Sequence, residues 1–192
     1  MVSETRDGWE AAALALLRGE AVVIPTDTVY GLAAIPTLPG AVQRLFALKG
    51  RGREVPIAVL VADAAQAWAL AMTPVPAAAQ DLAGRHWPGA LTIVVDRDAS
   101  WPGDVGDTPS VGLRCPDHAE VRELCARLGP LATTSANLHH EPTPVTAWAA
   151  AAAFPSVEVV VDGGTLGGAP STVVDCRREP PAVLRAGAVR LG

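Results

Sequence analysis

Aromatic side chains are scarce in this chain: one Tyr, two Phe and five Trp make up 4% of 192 residues. Basic residues are also in the minority, with 15 Lys and Arg against 20 Asp and Glu and a formal charge of −5. A protein that reads RNA by stacking, or tracks a nucleic-acid backbone electrostatically, needs exposed rings or a long basic face. Neither is expected here, although local basic clusters stay open. Cysteine is limited to Cys115, Cys125 and Cys176, an odd number without a C-x-x-C pair, which excludes a readable disulfide framework or zinc ribbon. They read as reduced core residues. No run approaches the roughly 18 apolar residues of a membrane span. The N-terminal "MVSETRDGWEAAALALLRGE" also lacks a basic segment followed by an apolar one. A cytoplasmic protein without membrane contact is the expectation. The phosphate-loop pattern G-x-x-x-x-G-K-[ST] and the dinucleotide pattern G-x-G-x-x-G are missing as well.

What is present is an apolar chain, 49% hydrophobic with a mean hydropathy of +0.26, able to bury a substantial core as one domain over residues 1–192. Trp9, Ala12, Ala13, Leu16 and Leu17 recur at helical spacing before Gly19, and Ala21 to Ile24 is a short strand-like run. Pro39 can open a helix that carries Val42, Leu45, Phe46 and Lys49 on one side. Further helices are predicted over 64–71, 76–87, 118–128 and 146–152. Strands are predicted over 57–61, 91–95, 111–114, 131–134, 157–162, 172–176 and 182–184. This alternation predicts an α/β fold in which helices cover a twisted mixed sheet.

Five polar constellations sit at the ends of these elements: "PTDTVYG", "KGRGREVP", "TTSANLHH", "GGAPSTVVD" and "LRAG". In α/β proteins ligands collect at strand ends, so the loops can converge on one crevice. Taken singly, each has a plain structural reading. Lys49, Arg51 and Arg53 end a helix, where cations complement the macrodipole, yet the two interleaved glycines let a backbone approach phosphate closely. Thr133 to Asn137 suits either ligand hydrogen bonds or a turn. Ser135 lacks the G-x-S-x-G elbow, so a serine hydrolase is rejected. His139, His140 and Glu141 lack the spacing of a helical metal motif and read as a solvated loop, and His86 reads as a helix-end residue.

Together and in this order, "PTDTVYGL", "KGR" with Pro56, "WPGALT", "VGLRCP", "TSAN", "STVVD" and "LRAG" resemble the YrdC-type family of threonylcarbamoyl-AMP synthases in its short form. The resemblance implies a twisted mixed sheet with a deep, positively charged nucleotide cavity. It also implies a reaction in which ATP, L-threonine and bicarbonate give threonylcarbamoyl-AMP and pyrophosphate, with Mg²⁺ accompanying ATP. Carried over by position, Lys49 and Arg51 are the catalytic cations and, with Thr92, Ser135, Asn137 and Arg185, bind the nucleotide, while Thr28, Arg114 and Ser171 hold threonine or its carbamate. No resident metal ligand and no covalent nucleophile are implied. A separate tRNA threonylcarbamoyl transferase is the expected partner, with only weak tRNA binding by this chain. Val55, Leu60 and the His139–His140 pair depart from the family pattern and bear on substrate affinity. Two alternatives stand beside this reading: an enzyme of another carbamoyl adenylate, and a noncatalytic RNA-binding or ribosome-associated protein.

Overall fold

The computed structural model describes residues 1–138 and 141–191; His139 and His140 lie outside the described residues. The first elements are a two-residue strand β1 (Val2–Ser3), helix α1 (Arg6–Leu17), strands β2 (Val22–Ile24) and β3 (Gly31–Ala34), helix α2 (Ala41–Lys49) and strand β4 (Ala58–Leu60). Helices α3 (Ala64–Trp68) and α4 (Ala77–His86) precede strands β5 (Leu91–Asp96) and β6 (Ser110–Arg114), helix α5 (Ala119–Leu128) and strand β7 (Leu131–Ser135). Helix α6 (Ala147–Ala153) leads to strands β8 (Val161–Asp162), β9 (Thr172–Asp175) and β10 (Ala182–Arg185).

Helix starts follow local chemistry. Thr5, Asp63 and Thr146 cap α1, α3 and α6 by accepting backbone N–H groups three residues on. Thr5 starts α1 three residues before the Trp9 suggested by the apolar pattern. Pro39 does not open α2: that helix starts at Ala41 behind Gly40, whose φ of 76° belongs to a turn. The described residues form an eight-stranded sheet in the order β10-β9-β5-β6-β4-β7-β3-β2. The β5/β9 and β4/β6 pairs are parallel and the other neighbours antiparallel, so the sheet is mixed, as expected. Two strand expectations are corrected. Gly31–Ala34, too short and small-sided to stand out, forms β3 between β7 and β2. The predicted strand over 157–162 shrinks to Val161–Asp162, which pairs with β1 outside the main sheet.

The period-2 alternation of side chains divides the sheet into two unlike faces. One face carries Val23, Leu32, Val59, Ile93, Leu113, Ala132 and Val174, all buried under α2, α4 and α6. On the other, Val22, Ile24, Ala33, Leu60 and Leu131 pack under α1 and α5. The remainder of that second face is Ala58, Thr92, Val94, Gly112, Thr133 and Val173, which form a cavity floor. Small and hydroxyl-bearing residues occur there in register: Ala58 stands beside both Gly112 and Thr133, and Val94 beside Gly112. A floor built from such side chains leaves room above the sheet that Leu or Phe would fill.

Candidate functional site

The cavity has a volume of about 460 Å³, and its wall draws on the β2–β3 turn, the segment after α2, the ends of β5, β6 and β7, and the β9–β10 region. Among the described residues its lining carries four arginines, Arg51, Arg114, Arg177 and Arg185, and no carboxylate. The wall is therefore electropositive although the whole chain is acidic, because a bound group senses charges within about a Debye length more than it senses net charge.

The β2–β3 turn is shaped by Thr26. Its buried hydroxyl accepts the N–H groups of Thr28 and Val29 at 3.2 Å each and donates to Val29 O at 2.7 Å, closing a hydroxyl-mediated turn. Tyr30 is spent on structure, donating to Gly164 O at 2.7 Å and accepting from Gly163 N at 3.1 Å. Asp27 and Thr28 meet Arg114 from β6: Arg114 Nη2 donates to Asp27 Oδ1 at 2.6 Å, Nη1 to Thr28 Oγ1 at 2.8 Å and Nε to Gly89 O at 3.1 Å. Thr28 Oγ1 lies 3.1 Å from Thr26 Oγ1. Since the Thr26 proton points to Val29 O, Thr28 supplies the proton between the two hydroxyls and keeps an acceptor lone pair for a ligand.

A second network lies across the sheet. Thr92 Oγ1 and Ser171 Oγ are 2.8 Å apart, and Arg185 donates to Ser171 O from Nε at 3.1 Å and from Nη2 at 2.8 Å. Arg185 Nη2 also reaches Ser171 Oγ at 3.0 Å. Gly187 permits this approach, since a Cβ there would sit 2.2 Å from Pro170 O and 2.5 Å from Ser171 C. Burial, and secondarily the charge of Arg114, lowers the Arg185 pKa.

The basic run after α2 separates in three directions. Arg53 is drawn into ion pairs with Asp104 and Asp107 at 2.8 and 3.1 Å. Lys49, 3% exposed, donates to Asn137 O, to Ser135 O at 2.8 Å and to Asn137 Oδ1 at 3.2 Å. Burial, with a smaller push from Arg51, holds its pKa down to about 8. Arg51 lines the cavity, stacks 5.6 Å above the Phe46 ring, and keeps Nε and Nη2 buried with no hydrogen-bond partner among the described residues. An unsatisfied buried guanidinium costs folding free energy, so its presence points to a ligand.

Of the nine residues singled out by sequence, the cavity brings together Thr28, Arg51, Thr92, Arg114, Ser135, Ser171 and Arg185. Lys49 and Asn137 are not on its wall; they stand behind Ser135. The Asn137 amide closes its own loop by accepting from Ser135 Oγ at 2.5 Å and donating to Leu138 O and Glu141 O at 2.8 and 2.7 Å. Arg177 was missed by sequence reasoning. The signal available was Asp175-x-Arg177 at a strand end, a spacing that puts both side chains on one side of the chain. Leu60, one of the departures, forms part of the floor.

The Sua5/YciO/YrdC family model, whose description reads "Telomere recombination", matches residues 14–187. A Mycobacterium leprae relative, provisionally named a threonylcarbamoyl-AMP synthase, is 40% identical over 95% of this chain and 84% of its own length. The Bacillus subtilis threonylcarbamoyl-AMP synthase is 39% identical over 96% of this chain and 55% of its own. The crystal structure of Pyrococcus abyssi Sua5 complexed with L-threonine superposes with a TM-score of 0.88 at 36% identity, covering 97% of this chain. This chain spans 56% of that longer protein.

Proposed function

The chain belongs to the Sua5/YciO/YrdC family, and we propose that it converts ATP, L-threonine and bicarbonate into threonylcarbamoyl-AMP and pyrophosphate, supplying the activated group for N6-threonylcarbamoyladenosine in tRNA. The observation that carries the assignment of the site is Arg51, whose buried Nε and Nη2 have no hydrogen-bond partner among the described residues, in a cavity wall where those residues place four arginines and no carboxylate. Such a wall suits a polyanion.

In this reading Arg51 and Arg185 hold the phosphates. Lys49 adds charge from behind the Ser135–Asn137 turn and fixes its geometry, and Ser135 and Thr92 offer hydroxyls to the nucleotide. Threonine lies between the two networks, where Thr28 presents its lone pair to the amine, Ser171 its hydroxyl, and Arg114 orients Thr28 while offering its remaining N–H groups. The threonine ammonium gives a proton to solvent, and the neutral amine then adds to carbon dioxide with release of a second proton, or to bicarbonate with loss of water, giving a carbamate. A carbamate oxygen then attacks the α-phosphorus, and the bond to the pyrophosphate oxygen breaks. Catalysis needs positioning and compensation of the leaving charge, not a covalent enzyme intermediate. Mg²⁺ arrives as substrate with ATP. The cavity lining offers it no carboxylate, and the nearby Asp27 and Asp175 are each engaged by an arginine, so the phosphates themselves are its anionic ligands.

The same reading places the reaction in the cytoplasm, with the product passed to a separate transferase. No helix among the described residues is long and apolar enough to cross a membrane. The test is incubation of purified protein with ATP, L-threonine and bicarbonate, followed by mass spectrometry. Threonylcarbamoyl-AMP should form and vanish when any one substrate is omitted. ATP turnover without that adduct would refute the assignment.

A further inference from the structure

Arg177 has no part in the assignment above, yet it lines the cavity. Its Nε and Nη2 donate to Asp175 Oδ1 and Oδ2 at 2.9 and 2.8 Å, and its backbone N–H reaches Oδ1 at 3.0 Å. Asp175 is 1% exposed, so the guanidinium is held in a fixed plane by a buried carboxylate, which Arg178 Nε also approaches at 3.6 Å. The cavity arginines thus fall into unlike classes: among the described residues Arg51 has no carboxylate partner, whereas Arg177 is tied through two N–H groups to Asp175. What Arg177 retains is a rigid planar surface and the free N–H groups of Nη1, the features by which arginine, unlike lysine, recognises a flat heterocycle.

Its surroundings fit such a ring. Asp175 is in register with Val94, and Val173 with Thr92, so the wall near Arg177 is built from Val94, Val173 and, from β10, Leu184. Ser171 lies at the other end of this segment from the clamp: it precedes Asp175 by four residues, roughly 13 Å of extended chain. We propose that the plane of Arg177, clamped by Asp175, forms one wall of the adenine subsite, with Val94, Val173 and Leu184 supplying apolar contact. This rests on the use of ATP proposed above and adds to it a residue that selects the base rather than the phosphates.

The test compares calorimetric titrations of ATP, AMP and inorganic tripolyphosphate into the parent protein, Arg177→Ala and Arg177→Lys. Lysine keeps an ion pair to the buried Asp175, and so the fold of β9, but offers no plane. Both variants should bind AMP and ATP about tenfold more weakly, while tripolyphosphate affinity stays within about twofold. The KM for ATP should rise with kcat retained. Tripolyphosphate affinity that falls in parallel with ATP would make Arg177 a phosphate ligand and overturn the proposal. So would nucleotide affinity unchanged in the lysine variant. Parent protein that binds tripolyphosphate but neither nucleotide would instead refute the use of ATP on which the proposal rests.

Discussion

Arg51→Met separates ligand binding from folding stability in opposite directions. Methionine retains most of the aliphatic stem beside Phe46 but removes a guanidinium whose Nε and Nη2 are buried without partners. Burial lowers the pKa of this arginine, the mark of a charge held in an unfavourable place. A charge-assisted hydrogen bond contributes about 1.5–3 kcal/mol, so losing one to the phosphates should weaken Mg·ATP binding roughly 10- to 150-fold. In the ligand-free protein the same substitution relieves an unsatisfied donor, a cost of about 1–3 kcal/mol. Loss of the ring contact offsets about 0.5–1 kcal/mol of that gain. The ligand-free variant should therefore be about 1 kcal/mol more stable than the parent, a rise in Tm of roughly 2–4 °C for a protein of this size. Calorimetric titration with Mg·ATP and thermal unfolding of the apo protein measure the two effects. The reasoning is refuted if ATP affinity stays within about threefold of the parent, or if apo Arg51→Met is less stable by about 1 kcal/mol or more.

Lys49 titrates in the fold at about 8 against an ordinary 10.5, so between these values the unfolded chain binds more protons and this group's contribution to stability increases with pH. Lys49→Met should flatten that rise in denaturant unfolding curves, and parent protein at pH 8 should take up protons on binding ATP, seen as calorimetric heats that depend on the buffer. Thr28→Ala and Ser171→Ala should raise the KM for threonine at least about tenfold while ATP binding changes less than about threefold, because each removes a hydroxyl from the proposed amino-acid cluster. Equal losses for both substrates would count against that division. With a formal charge of −5 and four arginines lining one cavity, tRNA binding should be weaker than micromolar at physiological salt and displaced by ATP. A titration showing tight binding indifferent to ATP would reveal a basic surface elsewhere.

Much of the architecture is local chemistry and was legible. Apolar runs such as Leu91–Asp96 and Leu131–Ser135 mark strands, and their alternation determines which side chains face the helices and which face the cavity. Gly31–Ala34 escaped because so short a run, one Leu among Gly and Ala, makes a buried strand only when β7 and β2 flank it. Hydroxyls and cations at strand ends also marked seven residues that line the cavity, and the joint order of seven short motifs pointed to the family.

What the sequence alone determined, then, is which residue types stand on which face and at which strand end, since the periods of two and 3.6 residues are properties of the backbone. Only the tertiary structure decided which cations stay available to a ligand. Arg51 and Arg53 are two residues apart and read alike, yet Arg53 is neutralised by Asp104 and Asp107, 51 and 54 positions away, while Arg51 has no such partner among the described residues. Lys49 turns to Ser135 and Asn137, 86 and 88 positions away, and Arg114 meets Asp27 across 87. Charge compensation depends on separations of about 3 Å through space, and the folded chain sets such distances between groups whose positions along the sequence carry no trace of them.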